Sequence, residues 1–231
     1  MDLFQLIGDL LHLLAVIALP IKIWTSKNVA GVSGVTQIFY SLVFTTRYLD
    51  LFFFSFISVD DTDIAMKITF ISTAYLTVYL IYVKFKDRDS QSCKEDSSWI
   101  MFWTIICIAV IFSLINHHYN RNQLILEIPW AFSIYLEAMA IIPQLVMVFK
   151  IKNKSGEIQN FIFYYIFLMS FYGEFHVLHW MYRYIYERHY DRIAILGGVA
   201  QVSIYIAFPC YIILSKLPFC GSEEKVVDVK I

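Results

Sequence analysis

The sequence predicts an all-α membrane protein with seven transmembrane helices, built as two parallel three-helix repeats joined by a linker helix. Composition is the first reason: of 231 residues, 59% are hydrophobic, 18% aromatic and only 16% charged. Soluble domains hold roughly 45–50% apolar and about 25% charged residues, so one water-facing core cannot absorb this excess. The second reason is that the apolar residues fall into seven near-continuous stretches. A helix needs about 20 residues to cross a hydrocarbon core of ~30 Å, and these stretches are of that order. The third is a weak internal repeat that lays Leu13-Leu14-Ala15 through Pro20 and Lys27 over Leu136-Glu137-Ala138 through Pro143 and Lys150. An odd helix between two such triplets keeps both in the same orientation.

The spans run approximately 3–21, 35–57, 66–83, 98–115, 128–149, 161–182 and 193–214. The first starts at Leu3 with no basic n-region and no small-residue cleavage site, so it reads as a retained span rather than a removed signal. The second carries Arg47 and Asp50, which at i and i+3 on one helix are close enough to pair. In the repeat the second span lands on the sixth and the third roughly on the seventh, which leaves 98–115 as the linker. Pro20 and Pro143 are expected to kink the first and fifth helices at matching depths. None of the seven alternates like a barrel strand. Short connections leave one membrane domain, 1–216, and a cytosolic tail, 217–231.

Orientation follows from the basic residues. Twelve lie in the first, third and fifth loops and the tail, against five, Lys67 and Arg121 among them, in the other loops. The richer side is cytosolic, so the N-terminus is luminal and the sequon Asn153-Lys154-Ser155 should stay bare. The net charge of −1 leaves no footprint for nucleic acid. Of the four cysteines, Cys107 and Cys210 read as small buried hydrophobes. Cys93 and Cys220 flank apolar runs, at a spacing that does not diagnose palmitoylation.

A charge at mid-membrane costs about 2.5–3.5 kcal/mol on insertion scales and calls for a partner. Besides Arg47 and Asp50, the first span carries the stripe Gln5, Asp9, His12. The sixth carries Tyr172, His176, His179 and Arg183, with Trp180 beside them. Three helices thus bear polar faces able to converge on a cavity. The plain alternative is that these residues only fix helix packing. His176 and His179, with His12 or Asp9, would also suit zinc in a membrane hydrolase, and the repeat suits a small-solute carrier. There is no phosphate loop, no G-x-S-x-G and no CxxC in the sequence. No enzyme activity and no cofactor are expected.

The chain resembles the ER lumen protein retaining receptors (KDEL receptors). The resemblance lies in Gly8-Asp9-Leu10-Leu11-His12-Leu13-Leu14-Ala15, Lys22-Ile23-Trp24 and Ala30-Gly31-Val32-Ser33-Gly34. It continues in Val43-Phe44-Thr45-Thr46-Arg47-Tyr48-Leu49-Asp50-Leu51-Phe52, in Trp130-Ala131-Phe132-Ser133-Ile134-Tyr135-Leu136-Glu137 and in Pro143-Gln144-Leu145. It implies a seven-helix receptor related in fold to the sugar-transporting SWEET proteins, resident in the ER, intermediate compartment and Golgi. Such receptors bind the C-terminal KDEL or HDEL tetrapeptide of escaped ER residents in the acidic Golgi, return it in COPI carriers and release it at neutral pH. By position, Arg47 and Tyr48 would hold the peptide carboxylate. Asp50, Glu127 and Trp130 would meet its basic first residue, and Trp180 and Arg183 its aspartate. His12 would sense protons.

The chain departs from the family pattern at several of these positions. Gln5 and Gly173 stand where the family has arginines, and Phe54 and Ala207 where it has asparagine and aspartate. His176 and His179 replace a tyrosine and an asparagine. Lys216, Lys225 and Lys230 are scattered through the tail, which weakens the expected COPI contact. The implied ligand-side set is therefore Gln5, Asp50, Glu127, Trp130, Tyr172, His176, Trp180 and Arg183, with His12, His176 and His179 as proton-sensing imidazoles. The alternatives are a divergent paralogue without the usual signal binding and a small-solute carrier of the SWEET type.

Overall fold

Helices follow the apolar runs among the described residues. The structure, a computed structural model, describes residues 3–53, 61–86, 99–117, 124–155, 160–188 and 190–214. The helices are α1 (Leu3–Ser26), α2 (Gly34–Arg47), α3 (Asp50–Phe53), α4 (Asp61–Tyr79), α5 (Trp99–Ile115), α6 (Leu124–Ala140), α7 (Ile142–Ser155), α8 (Asn160–Tyr182) and α9 (Arg192–Leu214). Wider π turns extend α4 over Leu80–Lys84 and α8 over Arg183–Glu187. No strand occurs among the described residues.

Among the described residues, four helical stretches are long and apolar enough to cross a membrane: Leu3–Ser26, Ile64–Lys84, Leu126–Lys152 and Asn160–Glu187. Two shorter apolar helices, Trp99–Ile115 and Arg192–Ala207, accompany them. Helix α2 has only 14 residues, about 21 Å at 1.5 Å per residue. Its Phe39, Tyr40, Val43 and Phe44 are buried against its neighbours. The helix contacts fall in matched pairs: α1 on α8 and α6 on α2, α1 on α4 and α6 on α9, α2 on α4 and α8 on α9. Helix α5 packs on α6.

The joint before α2 shows how a polar side chain builds the core. Buried Gln144 accepts from the Ser33 N–H at 2.8 Å through Oε1 and donates from Nε2 to the Gly31 carbonyl at 2.7 Å. Its own N–H donates to Thr36 Oγ1 at 3.0 Å. Gly31 has φ +80°, and a Cβ there would run into Ile162 Cδ1, so glycine alone fits. Ser33 caps α2, its Oγ accepting from the Thr36 N–H at 3.3 Å.

Several expectations change. The second span is not one helix over 35–57: α2 ends at Arg47, residues 48–49 turn, and α3 restarts at Asp50. A cation in a last turn followed by an acid in a first turn suits such an end and restart. The expected Arg47–Asp50 pair is therefore replaced: Asp50 Oδ2 lies 2.6 Å from Lys67 Nζ, and Lys67 belongs to α4 rather than a loop. Helix α1 runs unbroken through Pro20, whereas the fifth segment breaks at Ile141. Pro143 then falls in the first turn of α7, where its missing N–H costs little. Cys107 is exposed rather than buried, because α5 buries only the narrow face of Ile105, Ala109 and Ser113. Phe54, Arg121, Cys93, Cys220 and the tail with Lys216, Lys225 and Lys230 lie outside the described residues.

Candidate functional site

Helix α6 presents Trp130, Ser133 and Glu137 on one face, at steps of three and four. Glu137 is 5% exposed, a carboxylate that apolar surroundings tolerate only with partners. It has two. Arg47 Nη2 lies 2.5 Å from Glu137 Oε2, and the Tyr172 hydroxyl donates to Oε1 at 3.0 Å. Arg47 Nε donates to Ser133 Oγ at 3.2 Å, and Ser133 in turn donates to the Trp130 carbonyl at 2.6 Å. The last turn of α2, where a cation is favoured, thus delivers its guanidinium onto α6 and α8.

This group forms one wall of a cavity of about 510 Å³. Gln5, Asp9 and His12 come from α1, Arg47 and Tyr48 from the end of α2 and the turn after it, and Lys67 and Phe70 from α4. Trp130 and Glu137 come from α6, Tyr172, His176 and Trp180 from α8, and Gln201 from α9. His12 is 3% exposed, and its ring stacks on Tyr172 with centroids 4.1 Å apart and lies 5.0 Å from Phe70. Its Nε2 has no hydrogen-bond partner, and neither has His176 Nδ1.

A second cavity of about 620 Å³ adjoins the first and shares Arg47, Tyr48, Lys67 and Trp130 with it. Asp50, Glu127, Tyr190 and Asp191 complete its wall. Lys67 sits between the two cavities, bonded to Asp50 at 2.6 Å and 5.7 Å from the centre of the Tyr48 ring.

Of the residues expected at a site, Gln5, His12, Arg47, Tyr48, Trp130, Tyr172, His176 and Trp180 meet in the first cavity, and Asp50 and Glu127 in the second. Two do not line either. Arg183 bonds Glu187 at 2.8 Å and lies 5.4 Å from the Trp180 ring. His179 is 6% exposed and buried outside the lining. Tyr172, His176 and Trp180 step by four and so drift ~40° per step around α8, which puts His179 at the edge of their face. Ala207 is exposed on α9. The zinc reading finds no group of three His, Cys, Asp or Glu able to hold a metal among the described residues.

Glu137, Ser133, Lys67 and Gln201 were missing from the expected site. Glu137 carried a usable signal: it is an acid in the middle of an apolar span, and Arg47 is the deep cation available to it. Lys67 was hidden because a lysine at the very start of an apolar run, 66–83, reads as loop charge.

The chemistry of the arrangement is recognition: donors, acceptors and aromatic faces around a partly dried cavity. A sequence profile described as ER lumen protein retaining receptor matches residues 28–183. The chain is 43% identical over 208 residues to ER lumen protein-retaining receptor 2 of Gallus gallus, covering 90% of this chain and 92% of that protein. It is 40% identical over 217 residues to the ER lumen protein-retaining receptor of Drosophila melanogaster, covering 94% and 95%. The same figures hold for ER lumen protein-retaining receptor 2 of Homo sapiens, 40% over 217 residues with 94% and 95% covered.

Proposed function

The chain belongs to the family of ER lumen protein retaining receptors, and from that premise we propose that its cavity receives a KDEL- or HDEL-like C-terminal signal of escaped ER-resident proteins. In this reading binding occurs in the acidic Golgi, retrograde vesicles return the cargo to the ER, and neutral pH releases it. The protein acts by binding and carries out no bond chemistry.

Arg47 is the observation that carries the reading. Among the described residues it is the one guanidinium on the cavity wall, and its Nη2 and Nε are engaged by Glu137 and Ser133. The guanidinium would also meet the peptide carboxylate, with Tyr48 on the same wall. Trp130, Asp50 and Glu127 would take the basic first residue of the signal, and Tyr172, His176 and Trp180 its middle. Arg183 and His179 would then act from behind Trp180 rather than touch the ligand.

The remaining parts of the reading are the seven-span membrane domain 1–216 with a cytosolic tail 217–231, a luminal N-terminus and two parallel repeats about a linker helix. The matched helix contacts support the repeats, and α5, packed on α6, takes the linker's place. A COPI contact through the tail would be weak, because its lysines are dispersed.

Binding of one signal peptide to purified protein, with its C-terminus free and amidated, tests the assignment. Amidation should weaken binding at least tenfold, or ~1.4 kcal/mol, and equal affinities would overturn it. Solute flux in vesicles without peptide binding would move the protein to the carrier class.

A further inference from the structure

A groove of about 270 Å³ opens between α1 and α4 and shares no lining residue with the two cavities described above. Ile17, Ile21 and Trp24 line it from α1, and Leu76 and Leu80 from α4. Ile21, Trp24 and Leu76 are exposed, so the groove is open to whatever surrounds the bundle. Its two hydroxyls are already used within their own helices. Thr25 donates to the Ile21 carbonyl at 2.9 Å, and Thr73 donates to the Thr69 carbonyl. Pro20, also on the wall, has no N–H to give. These walls offer apolar contact and little else.

One end of the groove is cationic. Lys84 closes the π turn that extends α4, and its Nζ lies 3.2 Å from the centre of the Trp24 ring. Lys22 is exposed near the end of α1, and Lys27 is exposed just beyond it. Among the described residues no carboxylate forms an ion pair with Lys22, Lys27 or Lys84. In sequence, the connections 22–33, 84–98 and 150–159 carry nine Lys and Arg against five Asp and Glu. The full charges of these lysines outweigh the roughly half unit of negative charge at each helix C-terminus. No charged residue lines the groove itself.

The slot runs from Ile17 to Trp24 on α1 and from Thr73 to Leu80 on α4, a rise of about 10 Å on each. An apolar slot with cations at one end has the chemistry of a single lipid molecule. We propose that the groove between α1 and α4 binds a phospholipid of net negative charge. Its headgroup lies against Lys84, Lys22 and Trp24, and one acyl chain lies between Ile21 and Leu76. Lipid tails around the bundle are as apolar as the groove, so the chain sets the fit and contributes little selectivity. Selectivity comes from the headgroup, since each basic residue near a membrane surface favours anionic lipid by roughly fivefold. The positive-inside topology puts this end at the cytoplasmic leaflet, whose surface is anionic. Only that choice of leaflet rests on the proposed topology, and the site is independent of what the cavities bind.

The test is native mass spectrometry of the purified full-length chain in neutral detergent. The probes are phosphatidylserine and phosphatidylcholine with identical acyl chains, supplied in equal amounts. The serine lipid should be retained at least fivefold over the choline lipid, and equal retention overturns the proposal. In the double variant Lys22→Gln, Lys84→Gln that preference should fall below twofold, and an unchanged preference removes the headgroup assignment. Leu76→Trp fills the open side of the groove and leaves every lysine in place. It should lower retention of the serine lipid at least threefold, and full retention would show that the anion binds without the groove. Soluble glycerophosphoserine should not displace the lipid, and displacement would make this a site for a free anion instead. Should the variants fail to fold, quenching by serine lipid with brominated chains gives an independent reading. Wild type should lose more indole fluorescence than Trp24→Phe, and equal losses would place the chain elsewhere.

Discussion

Arg47 and Glu137 meet inside the bundle with Nη2 and Oε2 2.5 Å apart, and the Tyr172 hydroxyl holds the carboxylate's other oxygen at 3.0 Å. One acid thereby ties together α2, α6 and α8. The side chains are 17% and 6% exposed, so removing either partner strands a charge in a poorly solvated place.

Glu137→Leu is expected to destabilise the protein by about 3–5 kcal/mol, the range for breaking a buried pair. The double variant Arg47→Met, Glu137→Leu should recover most of that loss, because no charge is left behind. Thermal unfolding in detergent compares them. A double variant no more stable than Glu137→Leu would refute the ion-pair account.

Gln144→Leu removes the acceptor of the Ser33 N–H and the donor to the Gly31 carbonyl at a side chain 1% exposed. Two buried backbone groups would lose their partners, at about 1–3 kcal/mol each. A fall of about 2–4 kcal/mol in unfolding free energy is expected from this shape-tolerant change. A loss under about 1 kcal/mol would mean that water replaces the amide.

The helical segments were legible because apolar runs of span length have few other uses. Their ends were not, and each failure has a local cause. Thr45 and Thr46 bond back to the Ser41 and Leu42 carbonyls, and the Arg47…Asp50 order then ends one helix and starts another. An apolar count over 35–57 sees none of this. In the cavity, the stripes Gln5, Asp9, His12 and Tyr172, His176 could be read because they are spaced within single helices. The pairs Arg47–Glu137 and Lys67–Asp50 could not, because local spacing favours Arg47 with Asp50. Choosing the true partners needs the packing of α2 between α4 and α6.

His176 faces the cavity with Nδ1 unbonded, while His179 is buried beside it at a ring distance of 6.1 Å. If His176 takes a proton on ligand binding, affinity rises as pH falls, by up to tenfold per pH unit for that one proton. Peptide affinity from pH 5 to 7.5 should show a shallower slope in His176→Tyr and an unaltered slope in His179→Asn. Identical slopes in wild type and both variants would leave His12 as the proton-linked imidazole.

The positive-inside reading puts Asn153 and the tail in the cytosol. Expressed with microsomes, the chain should carry no glycan at Asn153-Lys154-Ser155, and protease added outside should remove a C-terminal tag. Glycan addition at that sequon would invert the topology.

The shortness of α2 also sets a schedule for biogenesis. At 14 residues with a terminal arginine, about 21 Å against a ~30 Å core, it cannot rest alone in lipid at low cost. The Ser133 hydroxyl that receives Arg47 is 86 residues further along the chain. At about 5–20 residues per second, ribosomes need roughly 4–17 s to deliver it. For that interval the segment has no native partner for its guanidinium, so the translocon, a chaperone or the membrane–water interface must hold it. A slowed ribosome lengthens the wait and widens the window in which quality control captures the chain.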